Sequence, residues 1–247
     1  MKVLSIGNRM SSDAHAFMPH LAKACGTELL LSNLCLENAS IEEHYRNYID
    51  ENEVYFYETY LPGVTDMMRP DGIALHEAVE EEDWDVITIQ QNGILSGSKE
   101  SYSPYYGEIA AYCRMMHPDA KILLVQPWAF DGACPLPEYR ELYGADQESM
   151  YEMISLCCKE IARDEEADGI IPVGRAFQTV RQTQIGDRLT ENGMFANDLG
   201  KFTASCTMFE AVTGINPVGI DFDLPDVPKA VSDLIKLCAH IAIEEGI

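Results

Sequence analysis

The sequence predicts an α/β protein, a three-layer α/β/α sandwich around a parallel sheet of five strands. Three observations carry that expectation. Short β-branched or aliphatic runs alternate with amphipathic stretches along nearly the whole chain, the pattern of strands joined by crossover helices. The apolar residues of the intervening stretches recur at helical intervals. Finally, 247 residues with 47% apolar and 23% charged side chains are enough to bury one core. A single domain over residues 1–247 is expected.

The strand runs are Lys2 to Ile6, Glu28 to Leu36, Asp85 to Gln90, Lys121 to Gln126 and Gly169 to Val173. Between them, Ala14, Phe17, Met18, Leu21, Ala22 and Cys25 share one helical face, as do Ile109, Tyr112, Cys113 and Met116. A last helix carries Val227, Ala230, Val231, Leu234, Ile235, Cys238, Ile241 and Ala242 on its packing side. Two segments interrupt the alternation. Glu53 to Arg69 is tyrosine-rich with a turn at Pro62-Gly63, and Asp131 to Gly144 holds Pro135 and Pro137. Both read as insertions over the carboxyl edge of the sheet, where α/β proteins keep their sites.

Asp and Glu number 41 against 17 Lys and Arg, a net charge of −24. Such a field repels polyanions, so nucleic acid and anionic membrane surfaces are not expected partners. No apolar run reaches the roughly 18 residues of a membrane span. The chain opens on Lys2-Val3-Leu4-Ser5-Ile6 with no longer apolar segment and cleavage site, so a cytoplasmic protein is expected. Of the eight cysteines, Cys25, Cys113, Cys157, Cys158, Cys206 and Cys238 fall on apolar stripes and read as reduced core residues. The Cys157-Cys158 pair belongs to the stripe Met150, Met153, Ile154, Cys157, Cys158, Ile161. With no CxxC and no Cys/His cluster of zinc spacing, neither a metal nor a cofactor is expected.

In an open α/β sheet, ligands sit beyond the carboxyl ends of the strands. The loop after the first strand reads Gly7-Asn8-Arg9-Met10-Ser11-Ser12-Asp13. Its lone glycine removes the support for a dinucleotide or P-loop site. Ser11, Ser12 and Asp13, before the helix from Ala14, are good N-caps, a role that accounts for one or two of them.

These residues and those that follow resemble the SGNH/GDSL hydrolase superfamily, and more closely a bacterial branch of SGNH-hydrolase-like domains. The matching text runs through Ile6-Gly7-Asn8-Arg9-Met10-Ser11-Ser12-Asp13-Ala14, Asn33-Leu34, Ser40-Ile41-Glu42-Glu43-His44 and Trp84-Asp85-Val86-Ile87-Thr88-Ile89-Gln90-Gln91 with Ser96-Gly97. It continues through Gln126-Pro127-Trp128-Ala129, Met150-Tyr151, Ile171-Pro172-Val173-Gly174, Leu189-Thr190, Gly193, Leu199-Gly200 and Thr213-Gly214. The resemblance implies a flavodoxin-like fold.

It also implies a serine nucleophile at the end of the first strand and a late Asp-x-x-His. A hydroxyl needs an imidazole to take its proton and a carboxylate to fix the tautomer. The matching positions hold Arg9, Asn192 and Phe195, none of which supplies that chemistry. The loop that offers a glycine N–H to the oxyanion reads Glu37-Asn38-Ala39-Ser40, and a carboxylate there opposes the charge stabilisation required. Gln90, Gln91 and Asn92 remain as amide donors, equally suited to holding loop backbone. No triad member is therefore intact.

The residues expected to contact a ligand are Arg9, Ser11, Glu37, Asn38, Gln91, Asn92, Trp128, Asn192 and Phe195. The ligand would be a small molecule or, by analogy with the superfamily, an acylated saccharide held without turnover. The alternatives are a hydrolase or transferase using other residues of the crevice, such as Ser11 or Ser12 with His15, His44 or His117, and a protein-interaction module with a closed pocket. Neighbouring strands bring the loops of Arg9 and Glu37 to one edge, so an Arg9–Glu37 ion pair is also expected.

Overall fold

The computed structural model describes residues 1–247. Its strands are β1 (Lys2–Gly7), β2 (Leu30–Cys35), β3 (Tyr55–Tyr60), β4 (Asp71–Ile73), β5 (Val86–Gln90), β6 (Lys121–Val125) and β7 (Gly169–Ile171). They form one seven-stranded sheet in the order β4-β3-β2-β1-β5-β6-β7. The five expected strands are its parallel part. The two added strands run antiparallel, β3 on β2 with Cys35 opposite Phe56, and β4 on β3.

The first interrupting segment is therefore not a lid over the carboxyl edge but part of the sheet. The run Tyr55-Phe56-Tyr57-Glu58-Thr59-Tyr60 has the aromatic and β-branched content of a strand, and Pro62-Gly63 turns the chain back so that Thr59 bridges Met68. The sheet ends on a three-residue strand that follows Pro70, a short edge that limits pairing with other chains.

Ten helices cover the sheet: α1 (Arg9–His15), α2 (Met18–Cys25), α3 (Ile41–Ile49), α4 (Leu75–Glu80), α5 (Tyr105–Met116), α6 (Pro137–Tyr143), α7 (Gln147–Asp164), α8 (Val173–Arg181), α9 (Asp198–Thr213) and α10 (Lys229–Glu245). Contacts group α1, α2, α8, α9 and α10 together, and α3 with α4 and α5. One cluster of 60 buried apolar residues runs through the layers. The helix expected from Ala14 to Cys25 is two helices. Pro19 sits in the first turn of α2, where its missing N–H costs nothing. At the break, Ser205 of α9 takes the Phe17 N–H (3.0 Å) and donates to the Ala14 carbonyl (2.8 Å).

All eight cysteines are unbridged, and Cys25 is exposed rather than in the core, because it is the last residue of α2 before the Gly26 cap. The other five stripe cysteines are buried. No helix is long and apolar enough to cross a membrane.

The connection from β1 leads to β2 on one side, while β5 lies on the other. That strand-order reversal opens a crevice beyond the ends of β1 and β5, bounded by Asn8 and Asn92.

Candidate functional site

The crevice is a cavity of 350 Å³. Its polar end carries Asn8, Asn38 and Asn92, and its walls include Met10, Ile94, Phe130, Leu136 and Phe195. Each loop is fixed by its own sequence. Asn8 caps α1, accepting the Met10 N–H at 3.0 Å and donating to the Ala39 carbonyl at 3.2 Å. Asn92 accepts the Ile94 N–H at 2.9 Å and donates to the Asn38 carbonyl. Asn38 adopts φ +58°, which Asn tolerates better than most residues, and its side-chain amide makes no hydrogen bond in the chain. It is the free amide of the three.

The second interrupting segment does cover the crevice, supplying Leu136 and Glu138 to its wall beside Phe130, which precedes it. Opposite, the late loop is locked to it. The Asp131 N–H donates to the Gly193 carbonyl at 2.8 Å, and Gly193 has φ +82° with the backbone of Ala133 and Cys134 within 3 Å of where a Cβ would stand. Only glycine fits there. Asn192 turns the same loop, its Oδ1 accepting from the N–H groups of Met194 and Phe195 at 3.3 Å.

Arg9 and Phe195 meet. The guanidinium carbon lies 4.1 Å from the ring centroid, a cation–π contact, and a guanidinium nitrogen is 3.8 Å from Glu191 Oε2. The expected pair with Glu37 is not formed. Phe195 offers a broad apolar face beside Arg9, and Glu191 lies on the same loop as Phe195. Glu37 is exposed without a cationic partner in a second cleft that Arg9 also lines.

Three other expected contacts are turned inward. The Ser11 hydroxyl is buried between the Asn8 carbonyl (2.6 Å) and Asn33 Oδ1 (2.9 Å), packed under Gly7. Gln91 is fully buried, accepting the Ile41 N–H at the start of α3 (3.0 Å) and donating to the Ser101 carbonyl (2.9 Å). It holds loop backbone. Trp128 is also fully buried, stacked on Phe177 at 4.7 Å, with its indole N–H on the Met194 carbonyl at 2.7 Å. It positions the late loop and lines neither cleft.

None of the six histidines lines either cleft. His15 faces Ser5 Oγ at 2.9 Å and His44 faces Tyr55 OH at 3.0 Å, both wholly buried. Burial lowers their pKa values to about 3 and about 4, so both are neutral at neutral pH. His117 bonds the Val79 carbonyl. Ser12 places its hydroxyl 2.6 Å from Glu58 Oε2, and Glu58 also accepts from Asn33 (2.9 Å) and faces Arg69 (3.4 Å).

A family model described as a domain of unknown function, DUF4886, matches residues 2–242. The chain belongs to the DUF4886 family. No curated protein matches it. A DUF4886 protein from Bacteroides uniformis is similar over 99% of this chain and 95% of its own, with 28% identity and a TM-score of 0.95. More distant is a candidate SGNH hydrolase from Slackia heliotrinireducens, with 17% identity and a TM-score of 0.56 over 85% of this chain and 97% of that one. Est24, a carbohydrate acetylesterase from Sinorhizobium meliloti, has 12% identity and a TM-score of 0.54, covering 86% and 98% of the two chains. This DUF4886 chain therefore has the fold of the SGNH hydrolases, as the sequence motifs imply.

Much of this DUF4886 chain's crevice wall was not among the expected contacts. Asn8 was legible only as part of the family motif; the caps expected at Ser11, Ser12 or Asp13 lie within α1, which starts earlier and is capped by Asn8. Met10 in α1, Ile94 in a short 3-10 turn, and Phe130, Leu136 and Met194 in loops are apolar residues that sequence patterns do not separate from core. The interrupting segment from Asp131 was the one signal that pointed to part of them.

Proposed function

We propose that this protein is a catalytically degenerate SGNH-hydrolase-like protein that binds a small ligand, an acylated saccharide fragment, in the 350 Å³ crevice without turning it over. The observation that carries this reading is the Arg9–Phe195 contact. By resemblance, the two residues stand where the nucleophile and the base would be, and they pack on each other instead of forming a proton-transfer pair. The free Asn38 amide suits a sugar hydroxyl or an acyl carbonyl, and the walls of Ile94, Phe130 and Leu136 suit the acyl chain. An open crevice also favours ligand binding over an interaction module whose pocket is filled.

The test is a crystal soak and calorimetric titration with acetylated mono- and disaccharides. Density between Asn38 and Phe130, with affinity lowered by Asn38→Gly, supports the reading; glycine keeps the positive φ while removing the amide. An empty crevice at saturating sugar contradicts it.

One observation keeps a second reading in view. The 2.6 Å contact from Ser12 to Glu58 joins a hydroxyl to a carboxylate, the minimum for an esterase with non-standard residues. Glu58 already accepts from Asn33 and faces Arg69, which makes it a poor base. Esterase turnover lost in Ser12→Ala would favour this reading.

A further inference from the structure

A second cleft of 380 Å³ lies beside the crevice and shares no lining residue with it. One face of α1 borders it through Arg9, Ser12 and Asp13, facing Glu37, Glu58 and Arg69, while Lys201 of α9 closes a side. In a chain of net charge −24 with only 17 Lys and Arg, three cations and three carboxylates meet here.

They do not all neutralise one another. Glu58 is satisfied by Ser12, Asn33 and Arg69. Lys201 and Glu37 form no ion pair with any group of the chain. Asp13 is 6% exposed, and its Oδ2 accepts the Ala196 N–H at 3.1 Å. Its Oδ1 has no donor in the chain. Burial raises the Asp13 pKa to about 6, as befits a carboxylate that lacks full compensation. The charges of Lys201 and Arg9 offset that burial only in part, so the cleft holds one cation outside any ion pair and two carboxylate functions without a donor.

A simple anion would gain Lys201 and Arg9 but face three carboxylates. A simple cation would face three cations. A ligand bearing both charges a few bonds apart meets both demands at once. We infer that this second cleft binds a small zwitterion, an α-amino acid, with Glu37 and Asp13 taking the ammonium and Lys201, aided by Arg9, taking the carboxylate. The volume lies at the small end of the roughly 300–1,000 Å³ typical of ligand pockets, which limits the side chain the site admits.

The inference is independent of ligand binding in the crevice. Its test is a thermal-shift screen of the whole protein with each standard L-α-amino acid, followed by calorimetry with the one giving the largest shift. That amino acid's decarboxylated amine and its deaminated acid serve as single-charge controls. The expected result is one site for the zwitterion, with both controls weaker by about tenfold or more, and a similar loss in Lys201→Met and Glu37→Gln. Both positions are on the surface, so the unliganded melting temperature checks that the variants fold. Asn38→Gly, in the crevice, leaves the affinity unchanged. The inference is overturned if no amino acid shifts the transition, or if a single-charge control binds as well as the parent. It is equally overturned if binding survives Lys201→Met and Glu37→Gln but falls in Asn38→Gly.

Discussion

The guanidinium carbon of Arg9 lies 4.1 Å from the centroid of the Phe195 ring, joining the first residue of α1 to the loop before α9. The contact closes the space between two clefts, Phe195 facing the apolar crevice and Arg9 the charged one. A partly exposed cation–π pair is worth about 0.5–1 kcal/mol. In a double-mutant cycle of Arg9→Ala and Phe195→Ala, read by urea denaturation, a coupling energy of that size is expected. A coupling indistinguishable from zero would show that the two side chains act independently.

Asp13 gives the stability a pH dependence of known sign. Its folded pKa is raised to about 6, above the unfolded carboxyl, so the folded state holds the proton more tightly. The associated stability is fully present below the unfolded pKa and lost as pH rises through about 6. In Asp13→Asn, which keeps an acceptor for the Ala196 N–H, that loss is absent. The variant should exceed the parent by about 3 kcal/mol at pH 8 and nearly match it at pH 4. Parallel pH–stability curves would contradict this.

The parallel core was legible because its strands and helices announce themselves by period, and ordered motifs pointed to the family fold. The tyrosine-rich segment misled because Pro62-Gly63 signals a turn whether it closes a loop or a hairpin. Its strand character lay in Tyr55, Tyr57 and Thr59, which pack on the sheet only once β2 is present to receive them. At the site, Trp128 and Gln91 have the chemistry of ligand contacts but use it on Met194 and Ile41. Sequence order cannot show which backbone group a buried donor or acceptor will find. The partner of Arg9 was misjudged for a similar reason. Two strand ends predict proximity to Glu37, while the loop carrying Glu191 and Phe195 arrives from more than 180 residues away.

Gly193→Ala should unfix the late loop. The added Cβ would stand 2.2 Å from the Cys134 nitrogen and 2.6 Å from the Ala133 carbonyl carbon, at a positive φ that disfavours alanine. A loss of about 2–4 kcal/mol is expected from the overpacking and backbone strain together. A variant as stable as the parent would mean that the loop is not locked to residues 131–134.

Thiol accessibility should follow burial. Cys25 is exposed and Cys134 half-buried, whereas burial raises Cys35 to about 11 and both Cys113 and Cys157 to about 12. A disulfide reagent should therefore react promptly with Cys25, slowly with Cys134, and with all eight thiols only after denaturation. Six or fewer in denatured protein that was alkylated at lysis would reveal a disulfide.

Hydrolysis of short p-nitrophenyl esters by the purified protein tests the central claim most directly. Loss of a key member of a serine triad costs on the order of 10⁶ in kcat. If Arg9, Asn192 and Phe195 stand at the three positions, as the proposed function holds, the expected rate is that of buffer, unchanged in Ser11→Ala and Ser12→Ala. Turnover well above buffer that disappears in Ser12→Ala would contradict the account and assign the chemistry to the Ser12–Glu58 pair.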